Sequence, residues 1–453
     1  MAANGGVRVV RDVSQPARQG HVGLVVLGSL LVGFLLALIL AGVVFGGGTE
    51  PTITGVVLLS FAAGWGLLAW LSGRRTDQPQ RWALIPAAFF GVLGLAHLVF
   101  RPSDGVLRAF GWVWPIALVV LVVWMIRASR RSLHSWSRPV ILYPVFAVLL
   151  LAAVGGAFET ISETAAAKAM PGQLVDVGGF KIHISCTGSG SPTVILEPGL
   201  GEPGVMMAGW IQPAVATKTK VCIYDRAGKG FSEPAPTRQD AIANAANLHT
   251  LLARAHVSRP YVLVGHSSGG PYVKVYASRY PDQVAGMVLL DAQPSDAFAK
   301  LPGYPTEYNV LRKFTGLFPS VARLGGMRLS YTTAVAGLPP QARSEERADW
   351  SRPSHSRSLR DELLELQSAL TQSQALTSLG STPLIVVTAV KDAHAGWMPL
   401  QDEMLTLSAN SVHRVLQNAT HTSLNEDKTE SGISSQAILD VVTAVRSGTP
   451  LTR

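Results

Sequence analysis

A serine between glycines at the end of an apolar run is the residue in this sequence whose surroundings best suit covalent chemistry. Residues 261–264 (Tyr-Val-Leu-Val) lead into Gly265-His266-Ser267-Ser268-Gly269, and a helix-like stretch follows over 271–279. Small flanking residues suit a sharp strand-to-helix turn, where the serine backbone is strained and neighbouring chains pass close. Ser267 is the candidate nucleophile, with His266 and Ser268 as packing or backbone contributors. A serine hydroxyl is a weak nucleophile at neutral pH, so it needs a base within hydrogen-bond reach and an acid to orient that base.

Of the eleven histidines, His421 is best placed to be the base. It lies just past the last strand candidate, in Gln417-Asn-Ala-Thr-His-Thr-Ser423, where a loop can swing over a sheet edge. His413 falls inside that strand, and His394 sits beside the turn that carries the expected acid. That acid is Asp392, in the loop after the buried strand 384–388; Asp291, at the end of Met287-Val-Leu-Leu-Asp291, is the competing choice. Asp402 and Glu403 read as solvated helix residues.

An oxygen that becomes negative during acyl transfer needs donors already aimed at it. Ser268 supplies one backbone N–H, and Leu200, in the glycine turn Glu197-Pro-Gly-Leu-Gly201, supplies the other. The pattern calls for no metal and no organic cofactor.

These residues need a scaffold, and the pattern from 173 onward provides one. Short β-rich runs alternate with helical ones, which predicts a mainly parallel sheet covered by helices. Eight strands are expected at 174–177, 181–185, 193–196, 221–224, 261–264, 287–290, 384–388 and 412–416. No internal repeat or low-complexity segment stands out.

The first third is different. Mean hydropathy over the whole chain is +0.28, and the apolar excess is concentrated before residue 158. Five stretches, 21–45, 52–71, 82–100, 110–126 and 139–158, are long enough to cross a hydrocarbon core as helices. The formal charge of +9 is not gathered on one amphipathic face, so nucleic acid is not an expected partner. Many arginines instead flank the apolar stretches. Arg8, Arg11 and Arg18 precede the first; Arg74, Arg75 and Arg81 follow the second; Arg127, Arg130, Arg131 and Arg138 follow the fourth. The opposite loops carry only Arg101 and Arg108, which predicts a cytoplasmic N-terminus and, after five spans, an external C-terminal domain. His97 is nearly the sole ionisable residue within the spans, so the bundle reads as an anchor, not a transporter. The first apolar run is too long for a usual cleavable signal and is read as an uncleaved anchor.

Residues 173–447 resemble the α/β-hydrolase superfamily, in the serine-nucleophile branch. The resemblance rests on the serine turn, the glycine turn, the histidine loop and the signature Tyr224-Asp225-Arg226-Ala227-Gly228-Lys229-Gly230-Phe231-Ser232. It implies an eight-stranded sheet with a helical lid inserted at about 293–382. It also implies that Asp225 and Arg226 support active-site loops without a catalytic role. By the same analogy the strands carrying Cys186 and Cys222 are neighbours, leaving a disulfide or two buried thiols as alternatives. The chain departs from the family where Glu197 replaces a frequent histidine, and in its multi-span leader.

The expected organisation is a transmembrane bundle over 1–158, a linker over 159–172 and a hydrolase domain over 173–453. The expected activity is cleavage of an ester-like acyl bond by Ser267, His421 and Asp392 in a multi-pass protein of the cell membrane, acting on a small-molecule or lipid-like substrate. The alternatives are a peptidase, thioesterase or perhydrolase on the same scaffold, or an inactive receptor or scaffold protein. A dehalogenase is disfavoured because serine, not aspartate, occupies the turn. The sequence does not specify oligomeric state.

Overall fold

The computed structural model describes residues 21–133, 139–165, 170–330 and 336–452. Arg8, Arg11, Arg18 and Arg138 lie outside the described residues, as does 166–169 of the expected linker. The chain divides into two compact units. One holds the described part of Met1–Ile39 with Gly55–Arg101 and Ile116–Leu151; the other holds Leu40–Thr54, Pro102–Pro115 and Ala152–Arg453, again where described.

Four helical stretches are long and apolar enough to cross a membrane: Val22–Val44, Glu50–Arg75, Arg81–Phe100 and Val140–Thr164. Within them run α1 (Val22–Leu38), α2 (Glu50–Arg75), α3 (Leu84–Phe100) and α6 (Tyr143–Ala165). The expected fourth span is a bent pair, α4 (Asp104–Phe110) and α5 (Trp114–Ser132), meeting at 46°. The break has a local cause: Pro115 lacks an N–H and fits only the start of α5. Counting that pair as one gives the expected five. In the first unit, Gly33 and Gly64 let α1 and α2 meet closely, since a Cβ on Gly33 would stand 2.9 Å from the Ser60 carbonyl. Trp65, Trp82 and Trp124 pack in a row with ring centroids 5.7 and 6.5 Å apart, so these three bind helices together. The expected linker begins as helix, because α6 continues to Ala165.

The second unit contains a single sheet of all eight expected strands: β1 (Gln173–Asp176), β2 (Lys181–Thr187), β3 (Thr193–Glu197), β4 (Val221–Tyr224), β5 (Tyr261–His266), β6 (Val284–Leu290), β7 (Leu384–Ala389) and β8 (Ser411–Leu416). Their order is β1-β2-β4-β3-β5-β6-β7-β8, with β2 antiparallel to both neighbours and β4 onward parallel. The central strands are apolar almost throughout because helices cover both faces. Ile195, Leu263, Met287, Leu289 and Val386 face one layer, which includes α7 (Ala241–Arg254) and α8 (Gly269–Arg279). Leu196, Val262, Val264, Val288 and Val387 face the other, built on α15 (Lys428–Ser447). Cys186 and Cys222 lie directly opposite each other on β2 and β4 and are joined as a disulfide.

Between β6 and β7 the chain leaves the sheet and forms the helical insertion expected there. Its described helices include α9 (Tyr304–Phe314), α10 (Phe318–Arg323), α11 (Gly326–Ser330), α12 (Pro340–Trp350) and α13 (Pro353–Ser373). After β7, α14 (Trp397–Met404) leads to β8. Three strand ends, those of β5, β6 and β8, therefore open at one edge of the parallel sheet, in the place where such sheets carry their sites.

Candidate active site

Ser267 follows β5 directly and has φ of +54°, a left-handed conformation that a non-glycine residue holds only when its surroundings enforce it. Its carbonyl accepts hydrogen bonds from Gly270 N–H at 3.1 Å and Gln293 N–H at 2.8 Å, and its own N–H donates to the Leu290 carbonyl at 3.1 Å. The tight turn also needs Gly269, where a Cβ would stand 2.4 Å from the Glu197 carbonyl oxygen. The side chain of Ser267 is partly open and makes no hydrogen bond among the described residues; such contacts often tighten only when substrate binds.

Leu290 and Gln293, which hold the serine turn, bracket Asp291. Asp291 also has positive φ, at +41°, and is 3% exposed. One of its carboxylate oxygens accepts from Trp397 Nε1 at 2.8 Å; the other lies 2.6 Å from His421 Nδ1. The expectation that Asp392 orients the imidazole is not met. Asp392 is exposed, and its Oδ1 accepts instead from the backbone N–H of His421 at 2.9 Å. The loop after β7 turns outward, so its carboxylate reaches the chain of the histidine loop and not the ring. Ser267, His421 and Asp291 thus stand just past the ends of β5, β8 and β6, with Asp392 bracing the loop.

His266 joins the serine turn to the histidine loop. Its Nε2 lies 3.1 Å from the His421 carbonyl oxygen, and the two rings are 4.8 Å apart between centroids. Its Nδ1 lies 3.1 Å from Glu202 Oε2, which also accepts from Gly199 N–H at 2.6 Å. Burial would lower the pKa of His266, but Glu202 outweighs it and the imidazole is raised above its ordinary value. Burial would raise Glu202, yet His266 and the Gly199 N–H hold it below the usual range. Residues 199, 202, 266 and 421 therefore form one connected polar chain.

In the glycine turn, the amides on either side of Leu200 are already engaged: Gly199 by Glu202, and Gly201 by Glu362 at 2.9 Å. Leu200 N–H donates to no acceptor among the described residues. A Cβ on Gly199 would stand 3.0 Å from Ser267 Cβ, so the turn passes against the serine. Ser268 is buried at the start of α8.

Arg226 fixes that turn from below. Its guanidinium donates to Glu197 at 2.5 Å, to the Pro198 carbonyl at 2.8 Å, to the Gly199 carbonyl at 2.5 Å and to Glu362 of the lid at 2.8 Å. Burial alone would raise Glu362; Arg226 and Lys229 overturn that and hold it at about 2. For Glu197, burial prevails over Arg226 and the carboxyl is raised, with the Tyr224 hydroxyl donating to it. Asp225 accepts from Gly204 N–H, Phe231 N–H and His183 Nδ1, at 2.7, 3.0 and 2.8 Å. The Asp-Arg segment thus supports loops, as the resemblance implied, and the carboxylate of Glu197 belongs to this support.

Glu202 and Glu362 were not singled out in the sequence. Glu202 carried a weak signal, a second carboxylate just past the glycine turn; Glu362 carried none, because only the lid's packing brings it there. His413 is structural, between Thr388 at 2.8 Å and Asp402 at 2.8 Å. Glu403 pairs with Lys300 at the surface at 2.6 Å. A cavity of about 310 Å³ bordered by His183, Asp225, Asp349 and Arg352 does not include Ser267. Among the described residues, no group of three or more His, Cys, Asp or Glu side chains is placed to hold a metal ion.

A serine at a strained strand-to-helix turn, with a histidine arriving after the last strand of an eight-stranded, mostly parallel sheet, is an arrangement of the α/β-hydrolase fold. Residues 192–361 match the family described as alpha/beta hydrolase fold. An uncharacterized protein of Schizosaccharomyces pombe is 33% identical over 151 residues, 27% of this chain and 28% of its own length. The 2-hydroxy-6-oxononadienedioate/2-hydroxy-6-oxononatrienedioate hydrolase of Cupriavidus pinatubonensis is 31% identical over 159 residues, 33% of this chain and 52% of its own length. The chain thus spans about a quarter to a half of these relatives. The Cif epoxide hydrolase of Acinetobacter nosocomialis superposes with a TM-score of 0.52 at 17% identity, over 62% of this chain and 95% of that one, a likeness of fold.

Proposed function

We propose that the protein is a membrane-anchored serine hydrolase acting on an ester-like acyl bond. Ser267 Oγ attacks the carbonyl carbon while His421 takes its proton; Asp291 orients the ring and stabilises the imidazolium. The oxyanion faces the amides of Leu200 and Ser268. His421 then returns the proton to the leaving group, and water, activated by the same ring, resolves the acyl-enzyme. The observation that carries this reading is the 2.6 Å contact of His421 Nδ1 with buried Asp291, formed beside the strained Ser267 turn. A peptidase, thioesterase or perhydrolase would use the same groups.

The apolar helices support an integral anchor. Orientation with the hydrolase domain outside the cytoplasm is supported by the cations: one set of connections carries Arg74, Arg75, Arg81, Arg127, Arg130 and Arg131, the other only Arg101 and Arg108. That is the partition expected of cation-poor and cation-rich sides.

Fluorophosphonate labelling of the full-length protein tests the chemistry. Wild type should label and Ser267→Ala should not. A folded wild-type protein that fails to label would overturn the reading in favour of a scaffold.

A further inference from the structure

We propose that the lid is seated on the lipid surface: the outer face of α9 is immersed in the membrane interface. The proposal rests on reading the apolar helices as spans. Val310, Leu311 and Phe314 are 52, 43 and 57% exposed, and on a helix these positions share one face. The adjoining face is occupied, with Tyr304 and Tyr308, seven and three residues before Leu311, packing in the apolar cluster that also holds Leu200 of the glycine turn. A soluble lid would present these three large apolar side chains to water, beside the exposed Glu307 that shares their face.

The level of this face is fixed by contacts inside the hydrolase unit. Gly47 N–H, just past the stretch Val22–Val44, donates to the Lys313 carbonyl at 3.2 Å. A Cβ on Gly46 would stand 2.9 Å from the Lys313 side chain, and one on Gly316 would stand 2.8 Å from Gly47 N. At the candidate span Val140–Thr164, Arg328 pairs with Glu159 at 2.5 Å and covers the Phe158 ring at 5.6 Å. Arg323 and Arg357 of the lid share Glu50 and Asp104, which begin α2 and α4. Residues 313–328 therefore touch the ends of three candidate spans, and the exposed face beginning at Val310 lies where those helices meet the interface. Arg312 and Lys313, next to Phe314, suit an apolar body with charged tips among headgroups.

The test is spin labelling of the full-length protein in liposomes of zwitterionic and anionic phospholipid. Cysteine is introduced by Leu311→Cys or Phe314→Cys; the native pair is already bonded and takes no label. Leu151→Cys, at a 70% exposed site on α6, reports the spans, and Arg238→Cys reports water. Expected is a ratio of oxygen to nickel-chelate collisions at 311 and 314 several-fold above that at 238. A ratio equal to that at 238, with a high ratio at 151, would overturn the lid proposal and leave the spans standing. A low ratio at 151 would remove both. Poor access to either reagent at 311 and 314 would show a protein partner and equally overturn it.

Discussion

His421 Nδ1 and Asp291 Oδ2 meet at 2.6 Å across 130 residues of chain, while Asp392, only 29 residues from the histidine, meets its backbone. Asp291 therefore acts on the ring's tautomer and charge, and Asp392 on the loop's position. Asp291→Asn should lower kcat by about 10³ to 10⁴, the scale of losing an orienting acid. Asp392→Asn keeps an accepting oxygen and should cost less than about tenfold. Steady-state rates on a short-chain ester, with fluorophosphonate labelling rates beside them, separate the two; equal losses would remove the distinction.

The Glu202 and His266 pair should give stability a pH dependence. His266 is raised, so its contribution is full below about pH 6.5 and is lost as pH climbs through its folded value. Glu202 is lowered, so its share is present above about pH 4.5 and is lost as acid titrates it. Both charges coexist in the window between. Glu202→Gln should cost about 3 kcal/mol near pH 5.5, as expected when one partner of a buried pair is removed. The gap from wild type should narrow at alkaline pH. Thermal unfolding of both proteins in detergent across that range is the measurement, and a constant gap would contradict it.

Arg226 is a geometric clamp before it is a charge. A lysine can satisfy one of its acceptors but not the two carbonyls and two carboxylates together. Arg226→Lys should fold with a reduced kcat and a modest loss of thermal stability. Arg226→Ala, which strands Glu197 and Glu362, should lose about 3 to 5 kcal/mol. Full activity in the lysine variant would show that the turn needs no such grip.

The disulfide closes a 36-residue separation. In the chain-entropy account, replacing both cysteines by alanine should cost about 4 kcal/mol. Alkylation of freshly made protein before and after reduction gives the companion result: no thiol should react until a reductant is added.

The sheet was legible because each strand carries its own signal, an apolar run bounded by turn residues, and all eight formed where that pattern placed them. The places of Ser267 and His421 in the fold were legible for a related reason: the turn of one is encoded by the glycines needed around it, the loop of the other by its position just past the last strand. The choice between two aspartates was not local. Both follow buried strands, and only the paths of the loops after β6 and β7 decide which carboxylate faces the ring. Trp397, whose indole fixes Asp291, is linked to it by tertiary packing alone. The fourth span was legible in composition but not in its bend, since hydropathy counts Pro115 as one more tolerable residue, although it fits only the first turn of α5.

The sharing of Glu50 and Asp104 between Arg323 and Arg357 bears on how this protein can be divided. Excising residues 170–453 as a free catalytic fragment would discard both acids and strip two half-buried guanidinium groups of their counter-charges. Such a fragment would retain every group proposed for bond cleavage and still begin from an electrostatically frustrated insertion, so its turnover would fall below that of the full-length protein.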